Sequence, residues 1–197
     1  TLNPGALRLQ ELRTIWSGAV KAELPASAAR AIVASAQAVD AIVARGLPAY
    51  GINTGFGKLA STQIAPADLR QLQLNLIRSH SVGVGPALAD GVSRLVVAMK
   101  VASLARGHSG VRPVVIDTLL AMLDADLLPV LPGKGSVGAS GDLAPLSHLT
   151  LALIGLHRVL YRASGGRVLG HVAGMPVLLL TTTGRRSGRR RTTPLRK

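Results

Sequence analysis

The stretch with the greatest chemical potential runs from Gly135 to His148 and reads GSVGASGDLAPLSH. Small residues surround its central triplet, Ala139-Ser140-Gly141, and the acid Asp142 follows the triplet at once. Small residues let backbone atoms approach each other closely and adopt angles that a bulky side chain would refuse. On composition alone, the stretch is also typical of a loop that caps a helix, with Asp142 as the N-cap and Pro145 in the first turn.

These fourteen residues, in this order, resemble the signature of the aromatic amino acid ammonia-lyases, and in particular of the bacterial histidine ammonia-lyases. The resemblance implies that the triplet cyclises into a 4-methylideneimidazole-5-one ring, an electrophile made from the chain itself. The amide nitrogen of Gly141 bonds to the carbonyl carbon of Ala139, and two waters leave, one of them with the β-hydroxyl of Ser140. Asp142 is implied to support ring formation. No added cofactor and no metal is expected.

A second glycine-rich string, YGINTGFG, begins at Tyr50 and contains too much glycine for a regular element. Composition alone predicts a surface loop in which Tyr50 is an anchor packed on the end of the preceding helix. The string also resembles the ammonia-lyase pattern. That resemblance implies a flexible loop over the active site and a role for Tyr50 in proton transfer with the substrate.

His80 follows a predicted helix over about 66–78 and begins a further glycine-containing string. A histidine at a helix end can simply cap exposed carbonyls. In the lyases that act on histidine or tyrosine, a histidine at this position contacts the substrate side chain. The resemblance therefore implies a substrate-binding role for His80, and it favours L-histidine or tyrosine over phenylalanine. His108 has no partner at metal-ligand spacing and is interpreted as structural.

Hydrophobic periodicity predicts helices over about 27–45, 66–78, 90–106 and 113–126, and a further helix from Leu143. Residues 127–132 are expected to lead in extended form into the triplet loop. Asp124 and Asp126 are expected to be solvated, on different faces of their helix. Because the chain is 48% hydrophobic but only 2% aromatic, its core must be aliphatic. The predicted fold is mainly α, the N-terminal portion of the ammonia-lyase fold with glycine-rich active-site loops.

Charge divides the 197-residue chain into two parts. Residues up to Ile154 carry 13 Lys and Arg against 9 Asp and Glu, whereas the rest carry 10 Lys and Arg and no acid. The lyase resemblance runs from about residue 2 to residue 155. The predicted domains are therefore an incomplete lyase region at 1–155 and an unrelated basic segment at 156–197.

The basic segment predicts a buried strand over 177–183 followed by a turn. The turn, Thr183-Gly184-Arg185-Arg186-Ser187, resembles the opening of the deazaflavin-dependent nitroreductases, which are split β-barrel proteins. This resemblance implies an alternative function in which these five residues bind the anionic tail of a deazaflavin. A further alternative is an unfolded cationic tail that binds nucleic acid weakly. With so few aromatic side chains to stack on bases, no specific nucleic-acid partner is expected.

The reaction implied by the lyase resemblance is the non-oxidative loss of ammonia from L-histidine, which gives urocanate. The family is implied to act as a homotetramer, with active sites that combine residues from several subunits. Because much of that pocket lies beyond residue 155, the chain alone is expected to be inactive. The absence of cysteine is compatible with a cytoplasmic location. No apolar run is expected to reach the ~20 residues that span a bilayer, and so no membrane partner is expected.

Overall fold

The computed structural model describes residues 1–137, 143–163, 171–172, 175–183 and 190–196, with side chains described for 1–137 and 143–155. Contacts divide the chain into two compact units, Thr1–Thr150 and Leu151–Lys197. The helices in the described residues are α1 Leu9–Ser17, α2 Ala26–Ala44, α3 Leu69–His80, α4 Asp90–Leu104, α5 Pro113–Asp124 and α6 Leu143–Ala163. The expectation of a mainly helical chain is confirmed.

The described strands form two small antiparallel sheets. They are β1 Val84–Ala87, β2 Pro132–Lys134, β3 His171–Val172, β4 Met175–Thr183 and β5 Arg190–Arg196. Strand β1 pairs with β2 in the first unit, and β4 lies between β3 and β5 in the second. Strand β4 confirms the strand predicted from the β-branched run at 177–183.

The core of the first unit lies around α4 and α5. Helix α4 contacts both α1 and α5, and α2 contacts α5. The most deeply buried large side chains are aliphatic, as the composition predicted: Val97, Val101, Ile116, Leu119, Leu123 and Leu131. Full burial of one such side chain is worth ~1.5–3 kcal/mol. These side chains therefore form the apolar core of the first unit.

The two acids near the end of α5 remain accessible to solvent, as expected: Asp124 is exposed, and the side chain of Asp126 is 37% exposed. Each of them also has a hydrogen-bond partner. Asp124 Oδ1 accepts the backbone N–H of Ala22 at 2.8 Å. Asp126 takes two hydrogen bonds from Arg94, at 2.7 Å from Nε and 3.2 Å from the terminal nitrogen. Asp126 lies after the end of α5 with a φ of +49°, so helical periodicity does not determine where its side chain points.

Helix α3 runs from Leu69 to His80, slightly later than predicted, because residues 66–68 form a turn before it. None of its residues is buried. Its apolar stripe consists of four side chains that are only half-buried: Leu69, Leu72, Leu76 and Ile77. The helix that carries His80 is thus the least supported helix of the first unit.

Helix α2 corrects the expectation that no segment is long and apolar enough to cross a bilayer. It has 19 residues with a mean hydropathy of 1.3, which meets that test by length and composition. However, it carries Arg30 and Asp40, and charged side chains are costly in a bilayer. Its buried residues, Ala28, Ile32 and Ala36, lie on one stripe, and α2 contacts α5 within the first unit. With 17% of its apolar window buried, α2 packs on the first unit along this one stripe.

Candidate active site

The structure describes the two stems of the triplet loop. Ala139, Ser140, Gly141 and Asp142 themselves lie outside the described residues. The entering stem consists of β2 and residues 135–137, and the leaving stem is the start of α6 at Leu143. The site can therefore be built from what these stems contact.

Strand pairing brings the entering stem beside the segment that follows His80. In the antiparallel pair of β1 and β2, Val84 lies opposite Lys134 and Ala87 opposite Pro132. The N–H of Leu88 extends the ladder to the carbonyl of Leu131 at 2.8 Å. The sequence predicted an extended segment before the triplet, but nothing in it predicted a partner for that segment.

Two glycines allow the stems to meet. Gly135 has a φ of +141°, and a Cβ on it would lie 2.9 Å from the Cα of Gly83 and 3.4 Å from the Cβ of Ala144. Real Cβ contacts are essentially never that short, so the first of these approaches requires the absence of a side chain. Gly83 in turn donates its backbone N–H to Nε2 of His148, on α6, at 3.0 Å. Both stems therefore contact the same residue, Gly83.

His80 is the last residue of α3, and its imidazole is half-buried. Its Nδ1 lies 2.8 Å from the carbonyl oxygen of Leu76 and 3.1 Å from Oγ of Ser79. A carbonyl oxygen can only accept, so the hydrogen bond to Leu76 puts the proton of a neutral ring on Nδ1. The ring caps its helix through Nδ1, and Nε2 remains an acceptor for a ligand.

His80 and both stems line one cavity of about 250 Å³. Its described lining residues are Ser79, His80, Val82, Gly135, Val137, Leu143 and Ala144. The structure thus brings the predicted substrate-binding residue to the two ends of the predicted ring-forming loop.

Tyr50 does not belong to the described lining of this cavity. Its side chain is 66% exposed, and its ring meets that of Phe56 edge-on, with centroids 5.5 Å apart. This aromatic contact lies within the loop.

The loop that carries Tyr50 is closed by buried polar side chains. Asn53 accepts the N–H of Ala49 at 2.7 Å and donates to the carbonyl of Leu47 at 2.8 Å. The side chain of Gln73, on α3, donates to the carbonyl of Gly51 at 3.2 Å. The glycine-rich string is consequently a defined loop attached to α3. Among residues 49–57, Tyr50 is the only polar side chain that is exposed.

The alternative cofactor turn lies almost wholly outside the described residues. Thr183 ends β4, whereas Gly184, Arg185, Arg186 and Ser187 are not described. Deazaflavin binding there stays a prediction.

Comparison with known proteins identifies the family. The sequence profile described as aromatic amino acid lyase matches residues 7–179. The chain belongs to this family. Histidine ammonia-lyase of Paracidovorax citrulli (strain AAC00-1) is 59% identical over 154 residues, which are 78% of this chain and 30% of that relative. The resemblance found in the triplet, the Tyr50 string and the His80 string is thereby confirmed.

Solved structures agree with this membership in the aromatic amino acid lyase family. Tyrosine aminomutase from Streptomyces globisporus superposes with a TM-score of 0.71 and 34% identity, covering 78% of this chain and 29% of that one. Histidine ammonia-lyase from Trypanosoma cruzi gives a TM-score of 0.65 and 38% identity, covering 73% and 28%. The chain therefore spans about 30% of the relatives that it matches, and the mainly helical fold is the N-terminal portion of theirs.

The profile match ends at residue 179, beyond the predicted junction at 155, while the compact units divide at residue 150. The separate origin of residues 156–197, and the division of the chain into domains at 155, stay predictions.

Two residues that hold the site together were missed by sequence reasoning. Gly83 and His148 both stood in the recognised strings, yet neither had been given a role. Their hydrogen bond joins residues 65 positions apart, so no local pattern could have indicated it.

Proposed function

We propose that this chain supplies the N-terminal part of a histidine ammonia-lyase, a carbon–nitrogen lyase that removes ammonia from L-histidine and leaves urocanate. The observation that carries the proposal is the cavity shared by His80 and both stems of the triplet loop. The relatives named histidine ammonia-lyase support the choice of substrate. The enzyme would be cytoplasmic, with no membrane or specific nucleic-acid partner.

Ring formation from Ala139-Ser140-Gly141 is part of this proposal. The close approach of the Gly83 and Gly135 backbones suits a loop whose backbone must turn back on itself. A side chain on Gly135 would push the two stems apart. Asp142 is proposed to support the cyclisation. The finished ring supplies an electrophile that makes the substrate's amino group a better leaving group.

His80 is proposed to bind the side chain of the substrate. With its proton on Nδ1, directed at Leu76, the imidazole presents Nε2 as an acceptor. The imidazole of L-histidine carries an N–H donor that complements it, whereas the ring of phenylalanine offers none. Rejection of an analogue that lacks a required donor is the strongest form of specificity that such a site can have.

Tyr50 is proposed to transfer a proton to or from the substrate. Its hydroxyl group is on an exposed side chain, and its loop is held to α3 through Gln73. Because Tyr50 is not among the described residues that line the His80 cavity, we propose that it acts in a site completed by another subunit of a homotetramer.

The 197-residue chain by itself is proposed to have no appreciable turnover, because it spans only 30% of its relative's length. Catalytic groups that act as a unit fail together when part of the set is removed. Positioning alone can account for ~7–11 kcal/mol of a barrier, so an incomplete pocket loses most of its rate.

A chimera tests the proposal directly. Residues 2–155 of this chain would replace the corresponding part of the Paracidovorax citrulli histidine ammonia-lyase, and urocanate would be followed by its absorbance. We expect turnover of L-histidine that Ser140→Ala abolishes and His80→Leu reduces. A folded, oligomeric chimera without turnover would refute the proposed function.

The isolated chain provides the complementary measurement. Incubated with L-histidine, it should release no more urocanate than its Ser140→Ala variant does. Turnover well above that control would mean that the rest of the relatives' length is dispensable.

A further inference from the structure

Residues 81–83 connect His80 to β1 and contact both stems of the triplet loop. Ser81 closes the end of α3 by donating its hydroxyl to the carbonyl of Ile77 at 2.7 Å. Two residues later, Gly83 faces the entering stem at Gly135 and the leaving stem at His148. Gly83 therefore links the segment that follows His80 to both stems.

The entering stem is set by backbone contacts, which include the strand pair of β1 and β2. The leaving stem carries the side chain that reaches Gly83. The imidazole of His148 accepts the N–H of Gly83 at 3.0 Å, and its Nε2 would lie 2.9 Å from a Cβ built on Gly83. Both distances show a close contact, and the ring of His148 is half-buried.

The direction of this hydrogen bond determines the form of the ring. A backbone N–H can only donate, so Nε2 of His148 must be unprotonated. His148 is consequently neutral, with its proton on Nδ1. A protonated ring would turn a second donor toward the N–H of Gly83.

We propose that His148 is a positioning residue: its neutral imidazole holds the segment that follows His80 against α6, the leaving stem of the triplet loop. This inference rests on the proposed function for its purpose, because it concerns the same site. It assigns His148 no contact with substrate. Its effect is transmitted through Gly83.

The test compares His148→Gln with His148→Leu in the 197-residue chain. Glutamine offers an amide oxygen that can accept the N–H of Gly83, whereas leucine is of similar size and has no acceptor. Amide hydrogen exchange of Gly83 should be about three- to tenfold faster in His148→Leu, because one net hydrogen bond is lost. In His148→Gln the exchange rate should stay close to that of the parent chain. His108→Leu, which removes an exposed histidine elsewhere, is the matched control and should leave Gly83 unchanged.

A spectroscopic reading of the parent chain makes the test independent of how well the variants fold. The ¹⁵N shifts of the His148 ring should show a proton on Nδ1 and a bare, hydrogen-bonded Nε2. Protonation at Nε2, or equal exchange of Gly83 in the glutamine and leucine variants, would overturn the proposal. Neither reading needs ring formation or turnover. If the chimera is inactive but the amide exchange of Gly83 depends on His148, the proposed function is refuted and the positioning role stands.

Discussion

The backbones of Gly135 and Gly83 cross so closely that a Cβ on Gly135 would lie 2.9 Å from the Cα of Gly83. This crossing joins the entering stem of the triplet loop to the segment that begins with His80. It depends on a φ of +141° at Gly135, a conformation that residues with a side chain rarely adopt. The geometry of the candidate site therefore depends on the absence of two side chains.

Replacing Gly135 by alanine should destabilise the first unit by ~1–3 kcal/mol, because the new methyl group meets backbone and the φ becomes strained. Unfolding in urea would measure the loss. Gly18→Ala is the control. Gly18 is extended with a φ of 178°, and no atom of the described part of the chain lies within 4 Å of a Cβ built on it. Equal stability of the two variants would contradict the crossing described here.

The intact mass of the folded chain should be lower than its sequence mass by two waters, and Ser140→Ala should restore the full mass. The reason is that both stems are anchored by residues of this chain, at Gly83 and at His148. Mass spectrometry of the purified protein measures the difference. An unmodified mass in soluble, folded protein would show that the stems alone do not compress the loop enough to cyclise it.

The pairing of Asp126 with Arg94 should make stability depend on pH. The hydrogen bond from Arg94 lowers the pKa of Asp126 below its ordinary value of 3.8. Desolvation opposes this shift, and the charge of the guanidinium group adds to it. Such a carboxyl stabilises the fold above its unfolded pKa, and the contribution is lost as the pH falls through the lower folded pKa. We expect Asp126→Asn to be less stable than the parent at neutral pH and to match it in strong acid.

Asparagine is the appropriate replacement because it tolerates the φ of +49° at this position. Urea unfolding at several pH values measures the effect. A constant stability difference across the acid range would indicate that the charge of Asp126 is not responsible.

Gly155→Ala should stabilise α6 by ~0.5–1 kcal/mol, since glycine within a helix costs backbone entropy. Among the residues that the structure describes, no atom lies within 4 Å of a Cβ built on Gly155, so the methyl group has room. Thermal unfolding followed by circular dichroism would show the gain. A loss of stability would mean that another segment packs closely on this position.

The chain should self-associate at micromolar concentration. Large apolar side chains are exposed around the candidate cavity and near β2: Val82, Val84, Val130 and Val137, at 64%, 63%, 74% and 62%. Exposed apolar patches favour association. Light scattering after size-exclusion chromatography measures this. A monodisperse monomer with a cooperative thermal transition would be the contrary result.

Several parts of this protein could be predicted from sequence because their causes are local. Helices α4 and α5 begin at Asp90 and Pro113, the positions predicted, because start signals and apolar periodicity act within a few residues. The triplet, Tyr50 and His80 were recognised from the order of their neighbours alone. The chain's family membership followed from those strings.

The relation of these residues to one another was decided only by the tertiary structure. Strands β1 and β2, of four and three residues, are too short to show a periodicity, and their pairing is what brings His80 to the triplet loop. Asp126 pairs with Arg94, 32 positions earlier in the chain, because the chain leaves α5 through a left-handed residue. Hydrogen bonds between distant segments depend on how the core packs, and a pattern of neighbouring residues carries no record of them.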